Sequence, residues 1–332
     1  MGVTMRRRDF TTLVGGALVA SPLSALAQLA KKTPRIGVLW HAGSAEEEGP
    51  YLAAVREGFK ELGYVEGQTI TLENRFPNEE PERFRSMAAE LVSLKPDVLL
   101  AAGGSASIAA KNATTTIPIV FIVVPDPLGS KLVDSLGRPG GNVTGLTNFA
   151  VQLSAKRLEY LREAFPRLSR VALLINPNVQ ITRQYVEESE AAAVKLGLTI
   201  QRVEARSLDD LERVFDAMVK TRAQAVAVNA DGLFFQGRSI VAKLAIERGL
   251  PTCVYSRETL DAGALMSYGP DHRAIFRRSA VYADKILRGA KPAELPVEQP
   301  TLFEFLINLK TAKALRLTLP QSVMGRADRL VE

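Results

Sequence analysis

The stretch Arg35-Ile-Gly-Val-Leu-Trp40 is apolar almost without a break and is bounded by turn formers. That is the pattern of a strand buried on both faces of a parallel sheet. Downstream, Leu52, Val55 and Phe59 recur at helical spacing within 48–62, and Gly63 stands where a helix-ending glycine belongs. The alternation continues with strand 69–73, helix 82–93, strand 97–101, helix 107–114, strand 119–124 and a short helix near Leu132. A glycine-rich passage, Gly140-Gly-Asn-Val-Thr-Gly145, then interrupts it. The pattern resumes with helix 155–165, strand 171–175, helix 182–196, strand 199–203, helix 209–220, strand 225–229, helix 238–248 and strand 252–255. In helix 209–220, Leu211, Val214, Phe215 and Met218 form one apolar stripe, read as core. Residues 264–268 predict a return crossing, followed by helix 273–288 and a connection carrying Pro292, Pro296 and Pro300.

Repeated strand-helix units imply parallel sheets with helices on both faces. At 332 residues the chain exceeds one ordinary hydrophobic core. The expected architecture is therefore α/β: two doubly wound parallel-sheet lobes joined by a multi-crossing hinge. Residues 28–147 with 269–300 form the first lobe, and 148–268 with 301–332 the second. Ligand would enter the cleft between them and close the lobes about crossings near Thr147, Tyr268 and Thr301.

Composition narrows the class. Hydrophobic residues at 46% and charged residues at 23% describe a globular chain rather than a disordered or membrane-spanning one. The net charge of +6 invites a nucleic-acid partner, but Lys and Arg are interspersed with Asp and Glu, and no basic cluster with interleaved aromatics occurs. The one dense basic run, Arg6-Arg-Arg8, precedes an uncharged stretch over 10–30, which reads as an export signal. Ala25-Leu-Ala27 places small residues where a signal peptidase needs them, so residues 1–27 are expected to be removed and the protein to reach the periplasm. Arg7-Arg-Asp-Phe10 resembles part of the twin-arginine export motif, leaving that route and general secretion both open. Cys253 is the only cysteine, so no internal disulfide forms.

Catalytic and cofactor signatures are missing. There is no phosphate-cradling glycine loop, no dinucleotide fingerprint, and no Gly-x-Ser-x-Gly elbow, since Gly103-Gly-Ser-Ala-Ser107 lacks the closing glycine. His41 and His272 are the only histidines, and neither has a second ligand at metal spacing, so no metal or cofactor is expected. What remains lies at the carboxyl ends of the expected strands, where open α/β sheets bind ligands. Trp40 and His41 end the first, Trp40 either as a packing residue or as a ligand-stacking wall. Ser105, Ala106 and Ser107 open a helix, where the Ser105 and Ser107 hydroxyls suit capping of the free N–H groups and the same N–H groups suit a carboxylate. Asp126 sits between two prolines, and Asn176, Asn178 and Asp231 lie in the matching loops of the second half. Turn formation is the plain alternative for Asp126 and for these three. A helix end for a carboxylate, Asp231 for an ammonium and Trp40 for stacking together suit an α-amino acid, aromatic ones first.

The chain also resembles the ABC transporter substrate-binding protein family that has tryptophan- and tyrosine-binding members, with a fold like that of type I periplasmic binding proteins. The resemblance rests on Glu61-Leu-Gly-Tyr-Val-Glu-Gly-Gln68, Thr114-Thr-Thr-Ile-Pro-Ile-Val-Phe121, Arg138-Pro-Gly-Gly-Asn-Val-Thr-Gly145, Gly263-Ala-Leu-Met-Ser-Tyr-Gly269 and Asp284-Lys-Ile-Leu-Arg-Gly-Ala-Lys-Pro292. Leu295-Pro-Val-Glu-Gln-Pro300 and Ile307-Asn-Leu-Lys-Thr-Ala312 extend it. It implies a monomeric, non-enzymatic binder that delivers a small molecule to a membrane permease driven by a separate ATPase. The ligand-facing positions it implies are the same nine, with two departures: Pro125 where glycine is common, and Gly232 where aromatic binders tend to carry Asn. Two rival readings stay open: a periplasmic sensor presenting its ligand to a signalling receptor, and an exported hydrolase using His41 with Ser105.

Overall fold

The computed structural model describes residues 33–332, so the export-signal expectation for 1–27 lies outside the described residues. Residues Pro34–Glu332 form one compact unit containing two sheets. The first half of the chain runs β1 (Arg35–Leu39), α1 (Gly49–Glu61), β2 (Thr71–Arg75), α2 (Pro81–Ser93), β3 (Val98–Ala102), α3 (Gly103–Ala113), β4 (Ile119–Val124) and β5 (Val143–Thr147). The second begins with α4 (Leu153–Ala164), β6 (Arg170–Ile175), α5 (Thr182–Leu196), β7 (Thr199–Glu204) and α6 (Leu211–Lys220). It continues through β8 (Ala225–Val228), α7 (Gly232–Gln236), α8 (Arg238–Glu247), β9 (Thr252–Val254), α9 (Arg257–Asp261) and β10 (Met266–Pro270). Then come α10 (His272–Leu287), β11 (Phe303–Asn308), α11 (Leu309–Ala314), α12 (Gln321–Met324) and β12 (Arg329–Val331).

The first sheet has the order β2-β1-β3-β4-β5, parallel throughout. The second, β12-β11-β10-β9-β8-β6-β7, repeats that winding from β7 to β10 and adds β11 antiparallel to β10. Alternation along each strand feeds two cores. In β1, Ile36 and Val38 face one cluster and Leu39 the other; in β6, Val171, Leu173 and Ile175 face one and Ala172 and Leu174 the other. Such burial on both faces is why these strands read as continuous apolar runs.

Three passages connect the sheets. The chain leaves after β5, and it returns after β10 so that α10 packs Ile275, Phe276, Ala280 and Ala283 into the first lobe's core. It then runs along β5, with Thr147 donating to the Glu298 carbonyl (3.0 Å) and Glu298 N–H to Gly145 O (2.9 Å), before entering β11. Helices α1 and α10 approach most closely at Gly58, where an added Cβ would lie 2.2 Å from the Arg277 carbonyl oxygen and 2.9 Å from the Ala280 Cβ. Backbone cannot yield as a side chain can. Gly58→Ala is expected to lower stability by about 1–3 kcal/mol, read from urea unfolding; an unchanged midpoint would show that the two helices part freely.

The structure corrects the expected short helix near Leu132, where it shows turns instead. Asp126 Oδ1 accepts from the N–H groups of Leu128 (3.1 Å) and Gly129 (2.9 Å), and the following backbone bonds close turns: Ser130 N–H to Asp126 O and Leu132 N–H to Pro127 O. The glycine-rich passage read as a break contains β5, buried along its whole length.

Candidate functional site

In both lobes the strand order reverses beside the first strand, between β1 and β3 and between β6 and β8, and open α/β sheets gather ligands at such switch points. The loops leaving β1 and β8 meet across the cleft. The His41 ring stands edge-on to Phe235 at 5.4 Å between centroids, and Tyr51 stacks on Phe235 at 4.9 Å and on Phe276 at 4.3 Å. Polar contacts join the same faces. Tyr51 Oη donates to Glu258 Oε2 (3.0 Å), and Gln236 Nε2 donates to Asn78 Oδ1 (2.6 Å) and to Glu47 Oε2 (3.3 Å). The lobes are therefore closed on one another.

His41 stands among carboxylates. Its Nδ1 is 3.3 Å from Glu79 Oε1 and 3.5 Å from Glu48 Oε1, and the latter oxygen also accepts from the backbone N–H groups of His41 and Ala42. Burial pulls the His41 pKa down, but the charges of Glu48, Glu79 and Asp231 outweigh it and raise the value to about 9. Opposite, Asp231 caps α7: its Oδ1 accepts from Leu233 N–H (3.0 Å) and from Asn176 Nδ2 (3.1 Å). Burial and the Glu79 charge push Asp231 up to about 7, against the opposing pull of Asn176, Leu233 and His41. Glu79 packs against Gly232, where a Cβ would stand 1.7 Å from Glu79 Oε1, and its charge acts on the adjoining Asp231. The glycine that departs from the expected Asn is thus what admits this carboxylate.

Of the residues singled out from sequence, the structure brings His41, Asn176 and Asp231 together. Trp40 is fully buried in the first lobe's core against Phe76 and Phe276, with its indole N–H donating to Asn74 Oδ1 at 2.9 Å. These contacts make it a packing residue rather than a stacking wall. Ala106 belongs to the core beneath the opposite face of that sheet. Ser107 does not cap α3; its hydroxyl is bonded back to Gly103 O (2.6 Å). Ser105 lies half-buried in the first turn of α3. Asp126 holds its own turn, and Asn178 is exposed, its side chain taken by Arg206 (3.2 Å).

Several residues of the cleft carried no sequence signal strong enough to single them out. Glu79 follows an edge strand, Tyr51 and Tyr185 occupy inward faces of helices that read as plain amphipathic segments, and Phe235 sits in α7, too short to show a period. Asn229, Tyr255 and His272 stand just beyond strand ends, the same positional signal that picks out His41 and Asp231.

A family model described as ABC transporter substrate binding protein matches residues 48–331. The chain is 27% identical over 297 residues to a tyrosine-binding protein of Clostridioides difficile, covering 86% of this chain and 81% of that one. A crystal structure of a conserved domain protein from Vibrio cholerae superposes with a TM-score of 0.84 at 26% identity, over 90% of this chain and all of the other. The L-Trp complex of an ABC domain from Streptococcus pneumoniae gives 0.82 at 25% identity, with the same coverage. Two closed doubly wound lobes with a polar cleft define a solute-binding clamp. The chain belongs to the ABC transporter substrate-binding protein family, and it serves an ABC importer by holding a small molecule.

Proposed function

We propose that the protein is a periplasmic, monomeric receptor for an α-amino acid with an aromatic side chain, which it hands to its permease chemically unchanged. The observation that carries the reading is the approach of Glu79 across the cleft to Gly232, the neighbour of Asp231, with His41 3.3 Å from Glu79. Glu48 and Glu79 flank one imidazolium and the Asp231 charge also acts on it, so a ligand ammonium finds uncompensated negative charge there. Closure in its absence brings carboxylates of the two lobes together at a cost; an ammonium between them offsets that cost. The ligand then prefers the closed form, which is the differential affinity any ligand-driven closure requires. Tyr51, Phe235, Tyr185 and Tyr255 pack in one cluster that spans the lobes and gives the cleft aromatic walls. The tyrosine- and tryptophan-binding relatives add support for the same class of ligand. No helix among the described residues is long and apolar enough to cross a membrane, which agrees with an exported receptor.

Calorimetric titration of the mature protein with L-Trp, L-Tyr, L-Phe and L-Leu tests the class. The aromatic acids are expected to bind at least about tenfold more tightly than leucine, with a smaller radius of gyration by X-ray scattering at saturation. Equal affinity for leucine would remove the aromatic preference, and failure of all four would remove the amino-acid reading.

A further inference from the structure

Arg157 lies on α4 and is 3% exposed, yet among the described residues it forms no salt bridge. Its Nε donates to Tyr268 O (3.0 Å) and its Nη1 to Ala150 O (3.3 Å), which leaves Nη2 buried without a partner. A buried guanidinium with no anion is costly, and a folded chain rarely carries one without use. Among the described residues three more buried polar atoms lack partners: Tyr185 Oη, Asn229 Nδ2 and His272 Nδ1. The Arg157 charge acts on both Tyr185 and His272. Tyr185 and Ala230, the neighbour of Asn229, pack in the same cluster as Ala150, whose carbonyl holds Arg157.

The chemistry of the four is uniform. Asn148 Oδ1 accepts from Ala150 N–H, which orients Asn148 Nδ2 as the donor to His272 Nε2 at 3.4 Å. Burial lowers the His272 pKa to about 4, so the ring is neutral and its remaining proton sits on Nδ1. The guanidinium, the imidazole N–H, the amide and the phenol all offer donors. The carboxylates whose charge acts on His272 are engaged elsewhere, since Glu258 accepts from Arg273 and Tyr51 and Asp271 caps α10, while Asp231, which acts on Tyr185, is the ammonium partner of the reading above. The α3 end first expected to hold a carboxylate offers backbone N–H groups without a side-chain cap but no charged donor, since the Ser107 hydroxyl is bonded within its own helix and Ala106 is core.

We infer that Arg157, with His272, Tyr185 and Asn229, forms the subsite that takes the ligand's carboxylate, at the second lobe's edge beside the crossings on either side of Asn148 and His272. The inference rests on the amino-acid reading above, which supplies the ammonium partner at Glu79 and Asp231. Guanidinium and neutral donors match a carboxylate with charge-assisted bonds.

The test compares ligands that keep ring and ammonium but lack the carboxylate. L-Trp against tryptamine and L-Tyr against tyramine are titrated into wild type, Arg157→Met and Tyr185→Phe. Wild type is expected to prefer each amino acid over its amine by roughly 100-fold, and Arg157→Met to lose on the order of 30-fold to several thousandfold toward the amino acid while changing little toward the amine. Tyr185→Phe, which keeps the ring, loses about tenfold toward the amino acid only, and decides the matter if Arg157→Met does not fold. Two outcomes overturn the subsite alone: wild type that binds acid and amine alike, or variants that weaken both ligands equally or keep the preference. Wild type that binds none of the amino acids or amines overturns the amino-acid reading and the subsite with it.

Discussion

Replacing Asp231 with alanine is expected to weaken tryptophan and tyrosine binding by roughly 30-fold to several thousandfold, the range for leaving a buried charge unpaired. The same change should cost about 1 kcal/mol of stability, because Asp231 also caps α7 and accepts from Asn176. The two effects separate by ligand. Indole-3-propionate keeps the ring and carboxylate of tryptophan but has no ammonium, so its affinity should barely respond to Asp231→Ala. Asp231→Asn retains an oxygen for the cap and should recover most of the stability with little of the amino-acid affinity. Titration of the three proteins with both ligands, beside urea unfolding, reads both affinities and the stability of each. If Asp231→Ala lowers stability while tryptophan affinity stays within about twofold, Asp231 is only a helix cap.

The fold was legible where burial imposes a strong pattern. Strand β4 was read with the boundaries observed, Ile119–Val124, because its two faces feed two cores and leave no polar position. Strand β5 was missed because Thr144 and Gly145 break the apolar run. Gly145 is there since φ is +156° and a Cβ would meet the Phe121 carbonyl at 2.1 Å, a packing demand invisible without its neighbour. Strand β11, Phe303–Asn308, follows a proline-rich connection and pairs antiparallel, outside the repeating unit that guided the reading.

The site was legible by position rather than by chemistry. His41, Asn176 and Asp231, which the structure brings together, all stand at strand ends beside a switch point, where open α/β sheets gather ligands. Trp40, at the same position, turned inward: its indole N–H finds Asn74 and its ring finds Phe276, both supplied by distant segments. Arg157 and Tyr185 were out of reach for the opposite reason. Each sits on a helix among polar residues, and only tertiary packing shows that both are buried with an unpaired atom.

Affinity for the amino acid should rise with pH between 5 and 8. The ammonium requires an ionised Asp231, whose pKa of about 7 makes a proton its competitor below neutrality. Binding is then expected to weaken about tenfold per pH unit well below 7, and roughly 100-fold between pH 8 and pH 5. His41, raised to about 9, stays cationic across that range and leaves the slope to Asp231; Tyr185 and Tyr255 are raised by burial and stay neutral. His272, lowered to about 4, is neutral throughout. Stability of the ligand-free closed form runs the other way. Asp231 has a folded pKa above its unfolded value near 3.8, so its contribution is present below about pH 4 and is lost as pH rises toward 7. His41 likewise contributes fully below 6.5 and loses that contribution as pH climbs to about 9. Opposed slopes follow: from pH 5 to 8 the unliganded protein weakens while ligand affinity grows. Titrations in buffers of different ionisation enthalpy at pH 6 should also show proton release on binding, absent in Asp231→Asn. Proton uptake at that pH, or an affinity that falls from pH 5 to 8, would mean that the ligand meets Asp231 in its protonated form and that the ammonium is bound elsewhere.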